Sequence, residues 1–143
     1  DVLKRHAENN LKGENPACCG KNCIQSSSNN CQLRQWNEFL TELKGKPAME
    51  QIMAVNDYAN QKTYRLDREN YGINDYWATP MEFLSKGGDC EDYAITKLLS
   101  LLQLGFDTDS MRMVVLVDTK LKTPHAALAL YTNDNILILD NQT

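Results

Sequence analysis

A lone cysteine, Cys90, stands between Asp89 and the pair Glu91-Asp92, directly after Gly87 and Gly88. Downstream, Ala94, Ile95, Leu98, Leu99 and Leu102 recur at three- and four-residue intervals, so a helix is expected from about Glu91 with these residues on its buried face. Cys90 then sits at the helix mouth. A thiol there meets the positive end of the helix dipole and free backbone N–H groups, which favour a thiolate and can hold the oxyanion of an attacked carbonyl. The three carboxylates act in the opposite sense, because nearby negative charge disfavours a second anion. A hard cation such as Ca²⁺ on Asp89, Glu91 and Asp92 would cancel their field and stiffen the turn carrying the thiol. The spacing is not that of an EF-hand loop, and an acidic helix N-terminus without a ligand is the plain alternative.

A nucleophilic thiol needs a base, and the chain has two histidines. His6 lies in a polar segment without a companion ligand and reads as a solvated surface residue. His125 opens the second of three β-rich runs, 113–117, 125–131 and 136–139, which the turn residues between them arrange as an antiparallel meander. A turn centred between Asn133 and Asp134 sets Ala127 opposite Asp140, with His125 two positions along. Neighbouring strands lie roughly 4.8 Å apart and alternate side chains share a face, so His125 and Asp140 can hydrogen-bond. A slip of one residue would separate them. A thiol, a histidine to take its proton and an aspartate to orient the imidazole are the parts of covalent acyl transfer. Each alone is commonplace: a buried Cys is usually inert, and Asp before Asn often only forms a turn.

Several elements must position these residues. Leu33, Trp36, Leu40 and Leu43 are spaced for one face of a helix from Gln32 that stops before Gly45 and Pro47, with Trp36 in the core. A second helix is expected from about Pro47 through Met49, Ile52, Met53, Val55 and Tyr58, its methionines packing. Residues 60–74 show no clear periodicity and read as a long surface connection. Thr79 can cap a short helix with Pro80 in its first position, Glu82 closing a capping box and Gly87 ending it. Trp77, just before it, is a candidate wall of a substrate cleft or a simple core residue.

With 143 residues and 42% hydrophobic content, the chain suits one compact domain, here residues 32–143, behind a polar arm of residues 1–31. A net charge of -4 without a basic, aromatic-interleaved patch argues against nucleic acid as a partner. No apolar run reaches the roughly 18 residues of a membrane span, so the protein is not expected to be a membrane protein. The start at Asp1, without methionine or apolar signal segment, suggests a processed N-terminus. Cys18, Cys19, Cys23 and Cys31 cluster in the arm and could form disulfides in an oxidising compartment or bind a metal; their spacing fits no familiar zinc pattern.

Four segments, 74–80, 87–94, 124–126 and 139–141, resemble the bacterial transglutaminase-like cysteine peptidases, and the Gly-Asp-Cys-Glu-Asp-Tyr block at 88–93 is the specific part. The resemblance covers roughly residues 32–143 and implies Cys90 as nucleophile, His125 as base and Asp140 as orienting acid. It also implies calcium on Asp89 and Glu91, with Asp92 a third contributor. The implied fold is α+β, papain- or transglutaminase-like, with N-terminal helices and a nucleophile-bearing helix packed on an antiparallel sheet. Further implications are a periplasmic location, a large cell-surface adhesin cut at a di-alanine bond near its N-terminus to control biofilm attachment, and an inner-membrane c-di-GMP receptor that sequesters the protease. The four-cysteine segment is not mapped onto the family pattern and its role stays open, and the chain stops three residues after Asp140, where further sheet is expected. Two other functions use the same parts: acyl transfer to an amine, and a calcium-binding interaction module without catalysis.

Overall fold

The computed structural model describes residues 2–12 and 29–142, in which six α-helices and a short 3-10 turn (Thr108–Ser110) precede a three-stranded sheet. The helices are α1 (Val2–Lys12), α2 (Asn29–Leu43), α3 (Ala48–Asn60), α4 (Asp67–Tyr71), α5 (Pro80–Lys86) and α6 (Cys90–Gln103). The strands β1 (Met111–Val117), β2 (Pro124–Tyr131) and β3 (Ile136–Leu139) form the antiparallel meander, in the order β1-β2-β3. Leu128 faces Leu139, the register that a turn centred between Asn133 and Asp134 requires. That turn is tied by the Thr132 N–H donating to the Asn135 carbonyl at 2.8 Å.

Burial explains why α6 is central. It packs on β2, α3 and α5, and Ala94, Ile95, Leu99 and Leu101 are among its buried residues. Trp36 of α2 is wholly buried, and its indole N–H donates to Ser100 Oγ of α6 at 2.9 Å, so the ring adds its apolar area to the core without stranding its donor. On α3 the inward face is Ile52, Val55 and Ala59, whereas Met49 and Met53 are about half exposed; the methionines expected to pack there face solvent. Among the described residues, no helix is long and apolar enough to cross a membrane.

Two parts of the chain differ from the sequence expectation. Residues 2–12 of the polar arm are helical, and Arg5 of α1 ties this helix to the rest by donating to Glu82 Oε1 at 2.8 Å and to the Trp77 carbonyl at 2.6 Å. His6 is correspondingly half-buried, edge-on to Trp36 with ring centroids 5.6 Å apart, rather than solvated; burial lowers its pKa. The connection expected at 60–74 contains α4, which ends at Gly72 in a left-handed conformation, φ 69°. Cys31 is disulfide-bonded, while Cys18, Cys19 and Cys23 lie outside the described residues.

Candidate active site

Two glycines set the geometry of the turn that delivers Cys90. Gly87 closes α5 at φ 76°, and a Cβ there would also lie 2.2 Å from the Thr63 carbonyl oxygen. A Cβ on Gly88 would lie 2.3 Å from Asp92 Oδ2. Only bare backbone fits at these two points. Consequently segment 63–65 runs alongside Gly88, with the Arg65 N–H donating to the Gly88 carbonyl at 2.8 Å and a parallel bridge between Tyr64 and Gly88. This pairing brings α4 up to the start of α6.

Asp92 is wholly buried and holds that start together. One of its oxygens accepts from the Ala78 N–H at 2.8 Å and the other from the Asp89 N–H at 3.1 Å. Asp67, also buried, accepts from the Tyr76 N–H. Ligand oxygens of Asp67, Asp89 and Asp92 all lie within 4.8 Å of one another. Burial, together with the charges of its neighbours, pushes Asp89 up to about 9. Burial likewise raises Asp92 to about 7, against the two N–H bonds that favour its charged form. Asp67 is raised for the same first reason. One oxygen each of Asp67 and Asp89 is buried without a hydrogen-bond partner. Crowded carboxylates with unsatisfied buried oxygens are the donor set of a hard cation.

Glu91 stands outside that trio and turns toward the thiol, which donates to Glu91 Oε2 at 3.4 Å. Burial pushes Glu91 up, but hydrogen bonds from Asp89, its own backbone and Cys90 outweigh it and leave its pKa lowered. The thiol itself is half-buried and pushed up to about 11, by burial first and then by the charges of Glu91 and Asp89, against a backbone hydrogen bond from Ala126 that favours the thiolate. The conflict read from the sequence is therefore present, and the helix mouth alone does not overcome it.

His125 and Asp140 meet at the sheet end. The imidazole Nε2 lies 2.7 Å from Asp140 Oδ1, with His125 8% exposed. Nδ1 is the ring nitrogen left to exchange a proton with something else. Cys90 and His125 line one cleft of about 650 Å³, whose other walls include Tyr64, Leu66, Leu121 and Pro124. Trp77, about half exposed, is not among the walls of this cleft, and its carbonyl is held by Arg5 instead. A thiol at a helix N-terminus and an imidazole oriented by a carboxylate, lining one cleft, are the parts of covalent acyl transfer.

Sequence reasoning missed Asp67 and the walls from Tyr64, Leu66 and Leu121. The one local signal for Asp67 is the short helix it opens: Glu69 accepts from the Leu66 N–H and Gly72 caps the end.

Comparison with known proteins agrees with this geometry. The family model of the bacterial transglutaminase-like cysteine proteinases matches residues 11–143. Calcium-bound Legionella pneumophila LapG superposes with a TM-score of 0.75 at 28% identity, covering 96% of this chain and 73% of that one. The EGTA-treated form of the same protein gives 0.72 at 29% identity, covering 100% and 72%. No curated protein sequence matches. The transglutaminase-like fold, the cleft shared by Cys90 and His125, and the family match over residues 11–143 together make this chain a bacterial transglutaminase-like cysteine proteinase.

Proposed function

We propose that the protein is a calcium-dependent periplasmic endopeptidase that cleaves a large surface adhesin at a di-alanine bond near its N-terminus, with Cys90, His125 and Asp140 as the catalytic triad. The observation that carries the proposal is the 2.7 Å bond between His125 and Asp140 in the cleft that also holds Cys90. Asp140 keeps the imidazole oriented, and His125 takes the thiol proton as Cys90 Sγ attacks the peptide carbonyl. Backbone N–H groups at the start of α6 hold the oxyanion. Collapse breaks the C–N bond as His125 hands its proton to the departing amine; a water that His125 then deprotonates adds to the thioester, the C–S bond breaks to release the acid, and the proton on His125 returns to the Cys90 sulfur.

Asp67, Asp89 and Asp92 would hold the calcium ion, which supplies positive charge beside the thiol and removes the mutual repulsion of the carboxylates. This differs from the set implied by the resemblance, in that Asp67 replaces Glu91. The trio's raised pKa values and unpaired oxygens support that assignment, as does the calcium-bound form of the similar LapG. Disulfide-bonded Cys31 is in keeping with an oxidising compartment such as the periplasm. The adhesin substrate, the role in biofilm attachment and the inhibitory inner-membrane c-di-GMP receptor follow from the resemblance to the family.

The test is incubation of an adhesin-derived polypeptide containing a di-alanine site with wild type and Cys90→Ala, each with calcium and with chelator. Cleavage by calcium-loaded wild type alone supports nucleophile, metal and hydrolysis together. An intact substrate overturns the hydrolytic reading, and product analysis with added amine then examines acyl transfer.

A further inference from the structure

We propose that Lys97 and Asn60 are positioning residues for Asp140, Lys97 by its charge and Asn60 by a bond to the Asp140 backbone. The inference rests on the reading of Cys90, His125 and Asp140 as a triad. Asn60 ends α3, and its Nδ2 donates to the Asp140 carbonyl at 2.9 Å, a contact across 80 residues of sequence. Asp140 follows the last residue of β3, beyond the strand ladder, so this bond anchors a residue that sheet pairing no longer holds.

Lys97 lies on α6 seven residues after Cys90, two turns further along the same side of the helix. It is 0% exposed, and its Nζ has no hydrogen-bond partner among the described residues. A wholly buried ammonium is costly unless charge compensates it. The charged groups that favour its ammonium form are the carboxylates of Asp140 and of Asp57 on α3; burial lowers its pKa to about 8 and these two oppose the shift, so it is cationic at neutral pH. Asp140 thus has the imidazole of His125 on one side and a buried cation among its neighbours. The positive charge holds the Asp140 carboxylate electrostatically in the place where it accepts the imidazole N–H.

A double-mutant cycle tests this, because a residue acting through Asp140 has no effect once Asp140 cannot carry charge. Lys97→Met is expected to lower kcat about tenfold with KM unchanged, the scale of a lost supporting contact around a site. In the Asp140→Asn background the same change is expected to cost less than about twofold. Equal losses in both backgrounds, or none in the first, overturn the proposal. Asn60→Ala, in a half-buried position at a helix end, removes a bond to the Asp140 backbone that Asp140→Asn retains, so it is expected to cost activity in both backgrounds and to move the His125 imidazole N–H resonance; a resonance that Asn60→Ala leaves unmoved overturns its part of the proposal even if Lys97→Met does not fold. The imidazole N–H resonance of His125, followed in Cys90→Ala, is independent of any substrate. If wild type cleaves nothing, the proteolytic reading fails and this resonance still decides: a shift on adding Lys97→Met supports the coupling, and an unmoved resonance contradicts it.

Discussion

The two ends of the site contrast in electrostatic completeness. At the sheet end, His125 and Asp140 satisfy one another across 2.7 Å, with Asn60 fixing the aspartate backbone. At the helix end, three aspartates converge within 4.8 Å with two buried oxygens unpaired, and the thiol beside them is driven up to about 11. One half works with the chain alone. The other half crowds buried acidic groups that hold on to their protons and disfavours the thiolate that the chemistry needs. On the proposed reading a cation would complete the helix end, since the His125–Asp140 pair is preformed and the thiolate is disfavoured.

The largest expected effect breaks the sheet-end half or the nucleophile outright. Cys90→Ala should remove peptidase activity, a loss on the order of 10⁴-fold or more in kcat/KM. Asp140→Asn should leave the fold intact and cost on the order of 10²- to 10⁴-fold, because the imidazole loses its orienting anion. Steady-state kinetics on the same polypeptide measures both.

Next comes the helix end. Gly88→Ala drives a methyl group to 2.3 Å from Asp92 Oδ2, displacing the carboxylate that ties Ala78 to Asp89. A destabilisation of about 1–3 kcal/mol is expected by denaturant unfolding. Asp67→Asn should act with opposite signs in two conditions. In chelator it relieves repulsion and raises Tm, on the order of 3 °C, whereas in saturating calcium it removes a ligand and lowers the gain in Tm that the ion gives.

A smaller effect sharpens the comparison through pH. Asp92 and Asp89 hold protons in the native state up to about 7 and about 9, whereas in an unfolded chain they release them near pH 4. The native state therefore binds more protons across that window, and without a cation its stability should fall as pH rises from about 4 to about 9. Bound calcium replaces those protons and should flatten the decline. Thermal melts across pH, with calcium and with chelator, read out both slopes.

Much of this site was legible in the sequence because its informative features are local. Thr132 to Asn135 dictates a tight turn, the turn dictates register, and register puts His125 beside Asp140. Apolar spacing from Ala94 onward fixed the α6 helix, and its start one residue earlier than expected left Cys90 as the first helical residue. Asp67 was hidden for the opposite reason: its place beside Asp89 comes from backbone pairing of Tyr64 with Gly88, for which no residue pattern near Asp67 codes. The helix at residues 2–12 escaped notice because it attaches through the bonds of Arg5 and the His6 ring against Trp36 rather than through a regular apolar stripe. Trp77 looked like a cleft wall by its neighbourhood in sequence, yet the cleft opens toward Tyr64 and the β1–β2 connection. Asp67 lies far from Cys90 in sequence yet offers an oxygen within 4.8 Å of those of Asp89 and Asp92, a proximity that adjacency in sequence did not suggest.

The most direct measurement is the rate of alkylation at Cys90, followed by mass spectrometry of its peptide, as a function of pH with calcium and with chelator. If a cation completes the helix end, calcium should speed alkylation at neutral pH and move its midpoint below the value of about 11 that burial and the carboxylates impose. Identical rates and midpoints in calcium and chelator would contradict the account and leave the acidic trio without a part in preparing the nucleophile.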